Sequence, residues 1–336
     1  MGITAEQIEA ILPGVLEKAV GKPCVLTRCR RLTAGASADT WWLEANCGGS
    51  RRWILRLDAG AENIGMAPGK RWEAKAQRAA GESGCPVAKV IATLDGSEGI
   101  GEGYVMTALS GESLPPVLLK DHAYEPARDR FCPNVASALA AIHRTPTEKL
   151  KGLPTLDALT QVEQLYAMHQ DYGEKLPIFS LVYGWLKKHA PKITRPALVH
   201  GDFRLGNFLL TENTLNGVLD WELTHLGDPM EDLGWLCVNA WRFGRRSKPV
   251  AGIASRRALY DAYETATGQA VDEGRARYWE LLGTFKWAVI CQYQAYSYLR
   301  GQVPTLERAA IGRRVAETEY DMLVCLQEQL ELSHAD

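Results

Sequence analysis

The stretch Leu198-Val199-His200-Gly201-Asp202-Phe203-Arg204-Leu205-Gly206-Asn207-Phe208-Leu209-Leu210, continued by Val218-Leu219-Asp220-Trp221-Glu222, sets acids and an amide at the edges of short apolar runs. Asn216-Gly217 between those runs predicts the turn of a hairpin. Asp202 and Asn207 stand five residues apart in a loop, and Asp220 follows Asn207 by thirteen, the spacing one hairpin needs to bring its ends together. The three side chains are therefore expected at one end of that hairpin. Two carboxylates and an amide carbonyl are hard oxygen donors, which suit Mg²⁺ rather than Zn²⁺. Asp and Asn also favour turns, so spacing alone leaves a plain surface hairpin open.

Outward from this island, Ala197–Trp221, the chain is helical in pattern on both sides. Upstream, Val135, Ala138, Leu139 and Ile142 form an i, i+3, i+4, i+7 stripe that ends near His143. Downstream, Tyr278–Leu299 and Thr305–Leu330 are long helix candidates. The first third reads instead as strand: Val25–Leu32, Thr40–Cys47 and Arg51–Leu57, the last two joined across Gly48-Gly49-Ser50. A helix over Lys70–Ala80 follows, then strands Val87–Thr93 and Gly103–Leu109. Gly99-Ile100-Gly101-Glu102-Gly103 precedes a strand rather than a helix, so it reads as a hairpin turn and not as a dinucleotide fingerprint. Ahead of all these, Thr4 and Gln7 form a capping box that opens a first helix. The layout is α+β: a small β-rich lobe over residues 1–110 and a larger α-rich lobe over 111–336, with a hinge near Ser110-Gly111. Small-molecule sites concentrate in such interlobe clefts.

The chain has 336 residues, enough for two lobes with real cores at roughly 100–200 residues per domain. Lys and Arg number 38 against 40 Asp and Glu, a net charge of −2, which gives no global field to hold nucleic acid or an acidic membrane surface. No apolar run approaches the roughly 20 residues of a membrane span, and Glu6 and Glu9 stand where a signal peptide would carry positive charge. A cytoplasmic protein, monomeric or homodimeric, is expected. Eight cysteines form no C-x-x-C pair and read as reduced, mostly buried thiols.

HGDFRLGNFLL, VLDWE and the following GDPMEDLGW together resemble the signature of the aminoglycoside phosphotransferases and their choline-kinase-like relatives, which share the protein-kinase fold. The Arg-Leu-Gly-Asn loop and the GDPMEDLGW extension are most similar to bacterial phosphotransferases related to the kinase-like domain fused to some acyl-CoA dehydrogenases. The resemblance covers nearly the whole chain in order and is specific mainly over residues 197–244. It implies a bilobal protein-kinase-like fold and an ATP- and Mg²⁺-dependent kinase acting on a hydroxyl of a small molecule. Asp202 would be the catalytic base, and Asn207 and Asp220 the metal ligands. Arg204 would steady the transferring phosphate or an anionic substrate, and Glu222 would add an outer carboxylate.

The same resemblance implies a phosphate-covering loop at Leu32–Thr40, with Gly35 and Ser37 approaching the phosphates. Arg56 stands where the third strand usually carries lysine, and Glu73 on the next helix is its natural ion-pair partner. Strand alternation places Ile54 on the face of Arg56, where it would cover adenine. Met106, Thr107 and Ala108 would form the hinge that receives the base. His200 is expected to be structural, Asp228 and Asp232 to brace loops and a helix N-terminus, and Trp235, Trp241 and Trp287 to be packing.

For the acceptor, residues 245–336 carry twelve acidic and twelve basic side chains. A polycationic antibiotic would be better served by an acidic surplus. The resemblance implies a hydroxy acid or its acyl-thioester instead, near Arg204, Arg242, Arg245 and Arg246, with an aminoglycoside kinase as the alternative. Two readings of other classes stand beside these: a nucleotide-binding pseudokinase, suggested by Arg56, and a hydrolase with a metal on His200, Asp202, Asp220 and His225.

Overall fold

A computed structural model describes residues 3–32, 38–58 and 67–333. Gly35 and Ser37 lie outside the described residues. The first part of the chain runs α1 (Ala5–Val20), β1 (Val25–Leu32), β2 (Ala38–Asn46), β3 (Ser50–Asp58), α2 (Lys70–Glu82), β4 (Val90–Asp95) and β5 (Glu102–Thr107). The strands form one antiparallel sheet in the order β1-β2-β3-β5-β4. Period-two alternation divides its faces. Leu43, Trp53, Leu55, Leu57 and Val105 pack on Ile8, Leu12 and Leu16 of α1, whose N-terminus carries the expected Thr4–Gln7 capping box. Ile54, Tyr104 and Met106 face the other way, toward Ala74 of α2.

The cysteine expectation needs correction. β1 begins opposite the end of β2, with Val25 paired to Asn46, so Cys24 and Cys47 lie side by side with Cα atoms 4.3 Å apart and are joined in a disulfide. Of the remaining six, Cys29 is half-buried and the others are buried free thiols.

The rest is mainly helical: α3 (Pro115–Lys120), α4 (Glu125–Asp129), α5 (Phe131–His143), α6 (Ala158–Asp171), α7 (Pro177–Lys188), α8 (Met230–Cys237), α9 (Arg256–Thr267), α10 (Glu273–Leu299), α11 (Leu306–Gly312) and α12 (Val315–Ser333). The long helix expected over Thr305–Leu330 is broken at Arg313-Arg314. No helix among the described residues is long and apolar enough to cross a membrane. Between α7 and α8 lie two small antiparallel pairs: β6 (Ala197–Val199) with β9 (His225–Gly227), and β7 (Phe208–Leu210) with β8 (Leu215–Val218). The β7–β8 hairpin turns at Thr211–Thr214, where the Thr211 N–H donates to Thr214 O at 2.9 Å; Asn216 and Gly217 belong to β8. Phe203, Phe208 and Trp221 sink into the core beneath, together with Val135, Leu139 and Ile142 of α5, and so anchor the polar loop from below.

Candidate functional site

The open end of the β7–β8 hairpin brings the expected residues together. The Leu219 N–H donates to Asn207 O at 2.8 Å, which sets Asn207 beside the start of the Asp220 segment. The Asn207 amide Nδ2 donates to Asp202 O at 2.9 Å and to Asp202 Oδ2 at 2.6 Å, leaving its Oδ1 as the atom to meet a cation. Asp202 Oδ1 accepts from Arg204 Nε at 2.9 Å and from the Trp235 indole at 2.8 Å. An ionised carboxylate has about four acceptor directions, so three side-chain donors orient Asp202 and leave room for one more partner.

The loop is braced from behind. Gly201 has φ +79°, and a Cβ there would lie 2.4 Å from Leu223 O, so only glycine lets the chain reverse between His200 and Asp202. Asp232 at the start of α8 accepts the N–H groups of His200 and Gly201 at 2.9 and 3.0 Å, and its Oδ2 also meets His143 Nε2 at 3.1 Å. Burial works against ionisation of Asp232, yet the His143 contact and the loop N–H groups hold its carboxyl below the usual range. Lys286 of α10 donates to Gly201 O at 3.2 Å and lies over the Trp235 ring. Asp228 holds Arg275 and accepts from the Trp279 indole. The bracing roles expected of Asp228 and Asp232 thus match their contacts. His143, at the end of α5, joins Asp232 to the Tyr263 hydroxyl, 2.8 Å from its Nδ1.

Across the cleft, Arg56 and Ile54 of β3 share a face, as alternation required. They line a cavity of about 260 Å³ with Met106, Leu109, Leu209, Leu219 and Asp220. Thr107 and Ala108 also line it, but their N–H groups donate to Lys89 O and Arg52 O at 2.9 and 3.0 Å. Those two amides thus serve the sheet. Arg56 and Glu73 lie 3.7 Å apart, within reach as expected. Each nevertheless has a shorter partner: Arg56 Nη2 meets Asp220 Oδ1 at 2.6 Å, and Lys70 Nζ meets Glu73 Oε1 at 2.5 Å. Burial opposes the charge of Asp220, and the Arg56 guanidinium outweighs it and holds the carboxyl below its ordinary value. Asp220 also adopts φ +63°, a left-handed conformation that Asp tolerates better than most residues and that recurs at functional sites.

Arg204 tethers Asp202 and lies over the Trp241 ring, 4.5 Å from its centroid. The other arginines proposed for an anionic acceptor are occupied elsewhere. Arg242 is turned to Cys237 O and Glu280, Arg245 to Leu119 O and Arg246 to Asp321. His225 is bound to Glu231 and to Leu223 O. Three residues that touch the site were missed or read as packing: Trp235, Lys286 and Lys70. Trp235 closes the GDPMEDLGW run, and Lys70 stands one helical turn before Glu73, so both carried a positional signal. Lys286, distant in sequence, carried none.

The donor set fits a hard cation and a polyanion together. Among the described residues no group of three or more His, Cys, Asp or Glu side chains could hold a metal alone. Asp220 and the Asn207 carbonyl would supply the few protein oxygens that suffice where phosphate and water oxygens complete a Mg²⁺ shell. Arg56 Nε is buried without a hydrogen-bond partner among the described residues, a donor awaiting an acceptor.

Comparison with known proteins gives the same picture. Acyl-CoA dehydrogenase family member 10 of Mus musculus is 26% identical over 250 residues, which cover 71% of this chain but only 22% of that protein. The chain thus spans about a quarter of the length of this curated relative. A Ralstonia eutropha structure provisionally assigned to the aminoglycoside phosphotransferases superposes with a TM-score of 0.74 at 22% identity, covering 97% of this chain and 98% of that one. A spectinomycin phosphotransferase in complex with ADP and spectinomycin gives a TM-score of 0.64 at 12% identity, over 98% and 100% of the two chains. At these identities the likeness is one of fold, and it is the bilobal kinase-like fold expected. The profile of the phosphotransferase enzyme family matches residues 28–278, well over half of the sequence, and the chain belongs to that family.

Proposed function

We propose that the protein transfers the γ-phosphate of ATP to the hydroxyl of a small molecule, with Asp202 as the base. The observation that carries this reading is the convergence of Asp202, Asn207 and Asp220 at one hairpin end, where Asp220 bonds Arg56 directly at 2.6 Å and both line a largely apolar cavity. In this reading residues 1–110 cover the nucleotide and residues 111–336 hold the acceptor. Ile54 and Met106 pack against the base, Arg56 grips phosphate oxygens, and Asp202 accepts the acceptor's proton as it aims the oxygen. Asn207 and Asp220 would hold Mg²⁺, which supplies neutralisation of charge on the phosphates. Positioning and charge stabilisation carry most of a phosphoryl transfer, so a base fixed by three donors suits the task.

For the acceptor we favour a hydroxy acid or hydroxyacyl thioester. The charge balance of the helical half, the cation of Arg204 on Trp241 and the acyl-CoA dehydrogenase relatives support it over a polycationic antibiotic. The test is ATP consumption with hydroxy acids, hydroxyacyl thioesters, choline-like amines and aminoglycosides in parallel. Asp202→Ala is expected to lower turnover by about 10²–10⁴-fold while Mg²⁺-dependent ATP binding persists. Equal turnover in the variant sinks the assignment of Asp202, and turnover of aminoglycosides alone replaces the acceptor class.

A further inference from the structure

Glu73 is 1% exposed and carries a charge that has to be matched. Three groups surround it. Lys70 Nζ, itself on a residue only 5% exposed, meets Oε1 at 2.5 Å; the Tyr104 hydroxyl donates to Oε2 at 3.3 Å; Arg56 Nη2 stands off Oε2 at 3.7 Å. The close cation therefore comes from α2 itself, one turn before Glu73, and not from the strand. Among the described residues Arg56 is thus held at short range by Asp220 alone, and its buried Nε is unpartnered.

The charges balance as Arg56 and Lys70 against Glu73 and Asp220. If a cation takes Asp220, the Arg56 guanidinium loses its one close partner among the described residues and keeps a full positive charge at the cavity. Glu73 makes no strong claim on it, because Lys70 has already neutralised that carboxylate. Without Lys70, the nearest cation to the buried Glu73 would be Arg56, and the guanidinium would be drawn away from whatever lies in the cavity.

We propose that Lys70 is a positioning residue for the phosphate donor: as the ion-pair partner of Glu73, it releases Arg56 to bind polyphosphate oxygens. This rests on the phosphotransferase reading above and assigns a role to a residue that the kinase pattern does not supply.

The test is calorimetric titration of the full chain with ADP and Mg²⁺, and with adenosine, which lacks phosphates. Lys70→Met is expected to weaken ADP binding about tenfold or more, the scale of one hydrogen bond to a charged group, and to leave adenosine binding unchanged. Lys70→Arg is expected to retain ADP affinity. Lys70→Met combined with Glu73→Gln removes the uncompensated carboxylate and is expected to recover most of the loss, which neither a packing role nor direct phosphate contact by Lys70 predicts. Unchanged ADP affinity in Lys70→Met, or no recovery in the double variant, overturns the proposal. If the unmodified chain binds adenosine and ADP equally or not at all, the phosphotransferase reading itself fails.

Discussion

Two hydrogen bonds of opposite sense fix the tautomer of His200: Nε2 donates to Leu219 O at 2.9 Å, and Nδ1 accepts the Asp202 N–H at 3.2 Å. The ring thus links Asp202 to the peptide before Asp220, and it must be neutral to do so. Burial lowers its pKa from the ordinary value, although Asp232, Asp202 and Asp220 pull the other way. An unfolded histidine takes up its proton near pH 6.5, so below that pH the unfolded chain binds more protons than the native one. The contribution of His200 to stability is therefore complete above about pH 6.5 and declines as pH falls below it toward the depressed native value. His200→Gln keeps a side-chain donor but loses the paired geometry. Urea midpoints of the two proteins should differ most near pH 7.5, and the gap should shrink by pH 5. A gap that widens on acidification would mean that the native ring is protonated. The structural role of this histidine was legible from its place two residues before Asp202, whereas the partners of Arg56 were not. Sequence order names Glu73 as the helical acid, but the choice between Lys70 and Arg56 as its close cation depends on a few ångströms.

At the scale of elements, α8 is the short helix that sets the His200–Asp202 loop, because it carries both Asp232 and Trp235. It crosses α10 at Gly234, where an added Cβ would lie 2.6 Å from the backbone N of Glu280 and the carbonyl carbon of Trp279. Gly234→Ala must therefore push the helices apart. Overpacking of this kind costs about 1–3 kcal/mol, measurable as a lower denaturation midpoint at constant slope. The shift also carries the Trp235 indole away from Asp202, so turnover should fall more than nucleotide affinity does. An affinity loss equal to the turnover loss would place the damage on the nucleotide side instead. The motif Gly227–Trp235 announced this helix in the sequence, and the bracing function of Asp232 followed from its position. The function of Trp235 did not, since a tryptophan in an apolar run reads as packing until its indole N–H is seen to face a carboxylate. Strand pairing was similarly half legible. Apolar runs identified β7 and β8, but the turn fell at Thr211–Thr214 because the register depends on which residues bury, not on the Asn-Gly pair.

For the whole molecule, the 2.6 Å pair of Arg56 and Asp220 ties the sheet to the helical part across the cleft. In the proposed reading, the cation that would grip phosphate and the carboxylate that would hold the metal thus neutralise one another. In the proposed reaction Mg²⁺ alone would have to take Asp220 and strand a guanidinium that is largely withdrawn from water. A nucleotide without metal would take Arg56 and strand the carboxylate. Both ligands together pair each freed charge with its new partner, and the penalty of a buried unpaired ion disappears. Nucleotide and Mg²⁺ should therefore favour one another by about 5–150-fold, the ordinary range of coupling between sites, and linkage requires the factor to be the same in either direction. Thermal unfolding is expected to show little stabilisation by ATP with chelator or by Mg²⁺ alone, and a clear rise with both. Arg56→Ala abolishes the latch, so Mg²⁺ should then bind without waiting for nucleotide, while nucleotide affinity falls. Independent, additive stabilisation by the two ligands in the unmodified chain would show that the interlobe pair is not what nucleotide and metal displace.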